Sequence, residues 1–180
     1  ETSEEELRQT FEEQARALAD ARPDAIVIET MSDLAEARLA LSAAKATGLP
    51  VVCCMVFDSG KEHDRTMMGV TPEQASEELS EAGADVIGAN CGVGIEKFLT
   101  VCERLRSATT LPIWIKANAG LPAVEGDRVV YHTSPAQYAD QVPALVKAGA
   151  GFVGGCCGTN PDFIRAVKAW LELGHGGENA

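Results

Sequence analysis

Three cysteines of the chain lie in a pattern that could bind a metal ion. Cys91 is followed by a glycine-rich stretch, and far along the chain the adjacent pair Cys156 and Cys157 is flanked by glycines. Each of the three ends a predicted apolar strand. Three thiolates with one open position would form a catalytic zinc site, because a structural site would carry a fourth protein ligand. Free cysteines are also common as small buried side chains, so spacing alone leaves a packing role open.

The other three cysteines have no such pattern. Cys53 and Cys54 lie inside a predicted buried strand and Cys102 inside a predicted helix, so we interpret them as packing residues. Neighbouring cysteines rarely bridge each other, and nothing in the sequence indicates secretion. We therefore expect reduced thiols and a cytoplasmic location.

Helices and strands alternate regularly along the chain, which fixes how the cysteines would be positioned. Strands are predicted at 25–29, 50–57, 85–89, 112–117 and 151–155, and helices at 3–21, from 33, from 71, and at 95–107, 135–148 and 161–173. Five strands alternating with six helices predict an α/β fold with a parallel sheet and helices outside it.

This spacing fits either a (β/α)8 TIM barrel or a doubly wound sheet, and two observations favour the barrel. No GxGxxG motif follows the first strand, which weakens a nucleotide-binding version. An Ala-Gly-Ala triplet precedes both the strand at 85–89 and the strand at 151–155, and in this register Cys91 matches Cys157. One strand separates the two, and alternate strands of a barrel contribute to the same interior layer.

The charge of the chain limits its partners. The formal net charge is −12 at pH 7, without a cluster of lysines or arginines. Such a chain would repel phosphate backbones, so we expect no nucleic acid partner. The sequence has no apolar run of 18 residues, so we expect no membrane span.

Several segments resemble the zinc-dependent homocysteine S-methyltransferase family. They are GANCGVG at 88–94, KANAG at 116–120 and GGCCGTNP at 154–161, supported by IETMSD at 28–33 and by the region 55–69. The resemblance covers nearly the whole chain, and the GGCCGT stretch is its most specific part. Within the family, the motifs look most like the homocysteine domain of cobalamin-dependent methionine synthases and less like the betaine-dependent branch.

The resemblance implies roles for five residues. It implies that Cys91, Cys156 and Cys157 bind zinc. Asn118 matches a position that can hold the fourth ligand site before substrate arrives, although it could also be a turn residue beside a glycine. Glu29 matches the carboxylate that binds the amino group of the substrate; without the motif it would be a capping or salt-bridge residue.

The implied reaction follows from thiol chemistry. A free alkyl thiol has a pKa of about 8.5, so it is mostly protonated at neutral pH, whereas zinc coordination deprotonates it. The resemblance therefore implies methyl transfer to the thiol of homocysteine, giving methionine, with methylcobalamin on a separate corrinoid domain or protein as the expected donor. Betaine or S-methylmethionine as donor, and a zinc-binding fragment or partner subunit without catalysis, remain alternatives.

The chain contains too few strands for a closed barrel. A complete barrel has eight strands and about 250 residues, whereas five strands are predicted here. We therefore expect residues 1–173 to form the C-terminal portion of a homocysteine-binding (β/α) barrel, followed by a flexible tail at 174–180. The missing N-terminal strands are expected from the same or another chain, because an open section would expose unpaired strand edges.

Overall fold

The computed structural model describes residues 2–174 of the 180-residue chain. Apart from a short 3₁₀ turn at Ile95–Lys97, the helices are α1 (Glu4–Asp20), α2 (Leu34–Lys45), α3 (Pro72–Glu81), α4 (Phe98–Ser107), α5 (Pro135–Ala139), α6 (Val142–Lys147) and α7 (Pro161–Gly174). The strands are β1 (Ile26–Met31), β2 (Val51–Met55), β3 (Val86–Cys91), β4 (Ile113–Ala117), β5 (Ala123–Glu125), β6 (Arg128–Val130) and β7 (Ala150–Gly155). Of the predicted tail at 174–180, Gly174 ends α7 and the rest lies outside the described residues.

Five strands form one parallel sheet in the order β1-β2-β3-β4-β7. Because spatial order follows chain order, each helical connection crosses the same face, as in a (β/α) barrel. Among residues 2–174 the sheet is not closed, and β1 and β7 are its edges. The predicted α/β class, with a partial (β/α)8 barrel of five βα units, is confirmed.

Two elements differ from the sequence prediction. The helix predicted at 135–148 is broken into α5 and α6. Pro143 lies in the first turn of α6, and its ring excludes the backbone hydrogen bond that a continuous helix would need there. The antiparallel hairpin of β5 and β6 was not predicted; a Gly-Asp turn at 126–127 joins its strands. That dipeptide is a recognised hairpin signal, but each strand has only three residues.

The hydrophobic core lies between the sheet and its helices. Ile113, Ile115 and Ala117 of β4 belong to this core, together with helix residues such as Leu41 and Leu105. Cys53, Cys54 and Cys102 are all fully buried, in agreement with their interpretation as packing residues. None of the helices within residues 2–174 is long and apolar enough to cross a membrane.

The other face of the sheet carries the alternate residues of each strand, because successive side chains point to opposite sides. On β4 these are Trp114 and Lys116, and Phe152 of β7 stacks near Trp114 with ring centroids 5.6 Å apart. Val27 and Phe152 remain 37% and 48% exposed. We call this surface the open face; in a closed barrel it would line the interior.

Candidate metal centre

Three thiols meet at the carboxyl ends of two strands. Cys91 is the last residue of β3, and Cys156 and Cys157 directly follow β7. The Sγ atom of Cys157 lies 3.8 Å from that of Cys91 and 4.0 Å from that of Cys156. All three Sγ atoms lie within 4.8 Å of one another. A tetrahedral zinc ion with Zn–S bonds of about 2.3 Å would separate its sulfurs by about 3.8 Å, so the cluster fits that ion.

The neighbouring β4 loop holds the two cysteine segments together through Asn118. The Nδ2 atom of Asn118 donates to the carbonyl of Gly92 at 2.7 Å, and its Oδ1 atom accepts from the N–H of Cys157 at 2.9 Å. Its backbone N–H donates to the carbonyl of Cys91 at 3.2 Å. Asn118 therefore bridges both segments of the site. Its oxygen has a second lone pair, so the predicted role at the fourth ligand position stays a prediction.

Two positions in these segments require glycine for a visible reason. Gly92 and Gly158 have φ angles of 69° and 78°, a region that L side chains rarely adopt. A Cβ atom on Gly158 would lie 2.3 Å from Cγ of Tyr131. The glycines beside the cysteines thus allow the tight backbone turns that bring the sulfurs together.

The thiol of Cys157 resists ionisation in the absence of a cation. Desolvation, together with the adjacent thiols of Cys91 and Cys156, raises the pKa of Cys157 to about 11. Thiolates so close together repel one another, and a divalent cation would offset that repulsion. The donor set therefore suits a cation that binds sulfur, such as zinc.

Glu29 lies on the open face in an ion pair with Lys116. Lys116 Nζ contacts Glu29 Oε1 and lies 4.7 Å from the ring centroid of Trp114. The side chain of Lys116 is 7% exposed and that of Glu29 is 49% exposed, so the carboxylate keeps an accessible side. The salt-bridge interpretation of Glu29 is realised, and its role in binding an amino group stays a prediction.

Sequence reasoning missed Asn90, which is fully buried beside the cluster. Its carboxamide contacts Thr30 and the Sγ atom of Cys156. Thr30 has a φ angle of 61° and lies between Ile28 and Met31, where β1 carries one residue more than β2. A left-handed conformation at a β-branched residue costs about 1–3 kcal/mol and persists only where neighbours hold it. The available signal was Asn90's place directly before Cys91 within the GANC segment.

The fold and the site together define a (β/α)-barrel protein with a three-cysteine cluster at the carboxyl ends of its strands. The family model for homocysteine S-methyltransferase matches residues 1–171. The chain belongs to the homocysteine S-methyltransferase family, and the resemblance identified from its motifs is confirmed.

Two methionine synthases are among its relatives, from Mycobacterium leprae (strain TN) and Mycobacterium tuberculosis (strain ATCC 25618 / H37Rv). Each is 27% identical over an alignment of 170 positions that covers 91% of this chain. The chain spans only 14% of the length of either relative.

Solved structures show the same architecture. The apo form of the homocysteine methyltransferase MmuM from Escherichia coli is 25% identical with a TM-score of 0.70, covering 91% of this chain and 57% of that one. Its metallated form is 24% identical with a TM-score of 0.71, covering 90% and 51%. The carboxyl transferase domain of Rhizobium etli pyruvate carboxylase (Y628A, with pyruvate) shares the fold alone, at 16% identity and a TM-score of 0.59, covering 93% and 32%.

Proposed function

We propose that this chain carries the acceptor half of a methyl transfer to the thiol of homocysteine, giving methionine, with zinc held by Cys91, Cys156 and Cys157. The observation that carries the proposal is the convergence of these three Sγ atoms within 4.8 Å. Family membership supports the choice of substrate. The existence of a metallated form of the Escherichia coli enzyme supports a metal at this kind of site.

When bound, zinc lowers the pKa of a coordinated thiol, so that the substrate sulfur is a thiolate at neutral pH. The thiol proton goes to solvent, and the sulfur then attacks the methyl carbon of the donor. A sulfur–carbon bond forms while the bond between donor and methyl group breaks, and its electron pair stays with the donor. The protein contributes position, because Asn118 holds the Gly92 carbonyl and the Cys157 N–H beside the reacting sulfur.

The amino group of the substrate is assigned to Glu29. Its carboxylate is half-exposed on the open face, and its ion-pair partner, Lys116, is nearly buried. A carboxylate held by one cation keeps lone pairs free for another donor, here the ammonium group of homocysteine. Asn118 is proposed to occupy the fourth ligand position until the substrate thiol replaces it.

The methyl donor is proposed to be methylcobalamin, carried by a corrinoid domain or protein separate from residues 2–174. Similarity to two methionine synthases, of which this chain matches only 14%, supports a donor module elsewhere. Betaine and S-methylmethionine are the competing donors. Methionine formation with each of the three, using the zinc-loaded chain and homocysteine, separates these possibilities.

The open face is proposed to be covered by further βα units, from the same or another chain, that close the barrel. Val27 and Phe152 are exposed there, and the Nε1–H group of Trp114 is buried with no hydrogen-bond partner among the described residues. The edges of β1 and β7 would pair with the added strands. Residues 1–173 would then be the C-terminal portion of the domain, in line with the 57% of the Escherichia coli enzyme that they match.

The decisive experiment measures zinc per chain and methionine formation for the wild type and for Cys156→Ala. We expect about one zinc ion per wild-type chain and a large loss in the variant, because two thiolates and water bind zinc far less tightly than three. Cys102→Ala is the matched control, since Cys102 is buried in α4 away from the cluster. Equal zinc content in all three proteins would refute the proposed site. Zinc binding with no methyl transfer from any donor, even with the barrel completed, would favour a zinc-binding module without catalysis.

A further inference from the structure

We propose that Asn90 is a positioning residue that links the thiol of Cys156 to the bulged end of β1. This inference rests on the proposed metal site and adds a residue that binds neither metal nor substrate. Asn90 lies on the open face of β3, one residue before Cys91, and its exposed fraction is zero. Its carboxamide therefore exchanges no hydrogen bonds with bulk water, and its contacts are those within the protein.

The hydrogen-bond partners fix the orientation of the Asn90 carboxamide. The backbone N–H of Thr30 can only donate, so the atom facing it at 2.7 Å must be the Oδ1 of Asn90. The Nδ2 group then faces the other side, where it donates to Oγ1 of Thr30 at 2.7 Å. Its remaining hydrogen is directed at Sγ of Cys156, 3.7 Å away. One side chain thus contacts two segments separated by the width of the sheet.

At the Cys156 end, this contact acts on a proposed metal ligand. Groups that donate hydrogen bonds to a ligand orient it and adjust how strongly it donates to the metal. Three thiolates around a divalent ion carry a net negative charge, and an N–H group directed at one of them reduces that charge. Asn90 is therefore expected to stabilise the metal-bound form of Cys156.

At the Thr30 end, the carboxamide holds a backbone conformation that threonine alone would leave. The φ angle of Thr30 is 61°, and β1 carries one more residue than β2 between the pairs Ile28–Cys53 and Met31–Met55. The N–H of Thr30 donates to Oδ1 of Asn90, and the hydroxyl oxygen of Thr30 accepts from Nδ2 of Asn90. Because Glu29 directly precedes Thr30, the same restraint fixes where its carboxylate meets Lys116.

Two variants test the Cys156 end and the Thr30 end of this link separately. Asn90→Asp is nearly isosteric, and a carboxylate can still accept from both the N–H and the hydroxyl group of Thr30. It replaces the N–H donor facing Cys156 with a negatively charged oxygen, which repels a thiolate. Thr30→Gly does the reverse: glycine tolerates the positive φ angle, and the contact between Asn90 and Cys156 is kept.

The experiment measures zinc affinity of the 180-residue chain by competition with a chromophoric chelator, and records the sulfur-to-metal charge-transfer band with Co²⁺ as a probe. Asn90→Asp is expected to weaken zinc binding by about 10- to 100-fold and to shift the cobalt band. Thr30→Gly is expected to leave both unchanged. Ser76→Ala, which removes a buried hydrogen bond to the Leu105 carbonyl far from the site, is the control for a general loss of stability.

Hydrogen exchange provides a second measurement, and it can be made on a variant that binds no metal. Hydrogen exchange of the Thr30 amide should be slow in the wild type, become slower still when zinc is added, and become fast in Asn90→Ser. If Asn90→Asp does not fold by circular dichroism, Asn90→Ser with the cobalt spectrum takes its place.

The outcomes distinguish this inference from the proposed function. A wild-type chain that binds no zinc would refute both the proposed function and the proposed role of Asn90. A wild-type chain that binds zinc while Asn90→Asp keeps its affinity and its cobalt spectrum would overturn the role of Asn90 alone. Loss of affinity in Thr30→Gly equal to that in Asn90→Asp would also overturn it, because the contact with sulfur would then not be the cause.

Discussion

The Sγ atoms of Cys91 and Cys157 lie 3.8 Å apart although 66 positions separate these residues in the chain. The contact exists because β3 and β7 are both neighbours of β4 in a parallel sheet, so their carboxyl ends emerge at the same edge. Two segments that lie far apart in the sequence thereby form one cluster of thiols.

The six cysteines should divide into two groups by reactivity. Cys53, Cys54 and Cys102 are fully buried, whereas Cys91 and Cys156 are partly exposed and Cys157 is exposed. In the metal-free native chain a maleimide reagent should label only the three cysteines of the cluster, and zinc should protect those three. Peptide mass mapping measures this. Rapid labelling of Cys53 or Cys54 in the folded chain would contradict the packing described here.

Asn118→Ala should destabilise the fold as well as the metal site. The substitution leaves the N–H of Cys157 and the carbonyl of Gly92 without their partner, at a position only 5% exposed. A buried group left unpaired costs about 1–3 kcal/mol, so we expect a loss of that size in urea denaturation. Ser107→Ala, on the exposed end of α4, is the control and should have little effect. If Asn118→Ala unfolded at the same urea concentration as the wild type, the hydrogen bonds of Asn118 would contribute nothing to stability.

Glu29→Gln should weaken binding of homocysteine selectively. The change removes the negative charge proposed to bind the ammonium group and leaves the nearly buried Lys116 without its ion-pair partner. We expect weaker binding of homocysteine but unchanged binding of 4-mercaptobutanoate, which has the thiol and carboxylate but no amino group. Calorimetry with the zinc-loaded chain measures both. An equal loss for the two thiols would assign Glu29 a structural role only.

Stability should fall in acid because of one ion-pair group on the helical side. Arg104 donates two hydrogen bonds to the Glu73 carboxylate, at 2.6 and 2.7 Å, and also pairs with Asp64 in the loop after β2. The hydrogen bonds from Arg104 lower the pKa of Glu73 from 4.5 to about 2. Since the folded state has the lower pKa, the stabilisation is complete above pH 4.5 and is lost as the pH falls towards 2.

Glu73→Gln should therefore flatten the dependence of the unfolding free energy on pH between about 4.5 and 2. Glu77→Gln, on the exposed side of the same helix, serves as the control and should keep the wild-type slope. Identical slopes in all three proteins would show that Glu73 gains nothing from Arg104. The magnitude is expected to be modest, because the pair is partly exposed to solvent.

Local patterns were sufficient to predict most of the elements, and their failures have local causes. Apolar runs and capping residues predict the alternation of strands and helices, because each strand or helix is specified by residues within a few positions of one another. Pro143 was a sufficient signal for the break between α5 and α6, since an interior proline removes a helical hydrogen bond. The hairpin of β5 and β6 is held by pairing between three-residue strands, too short for a hydrophobic pattern to appear.

The sequence by itself determined the βα order, the family and the identity of the three clustered cysteines, because strand ends and glycine-flanked thiols are marked by neighbouring residues. Only the tertiary structure decided that Glu29 pairs with Lys116, 87 positions away, and that Asn90 joins Thr30 to Cys156. Those contacts depend on which strands are adjacent, on their register and on the extra residue in β1. None of these is encoded within a single element; they follow from how the strands assemble.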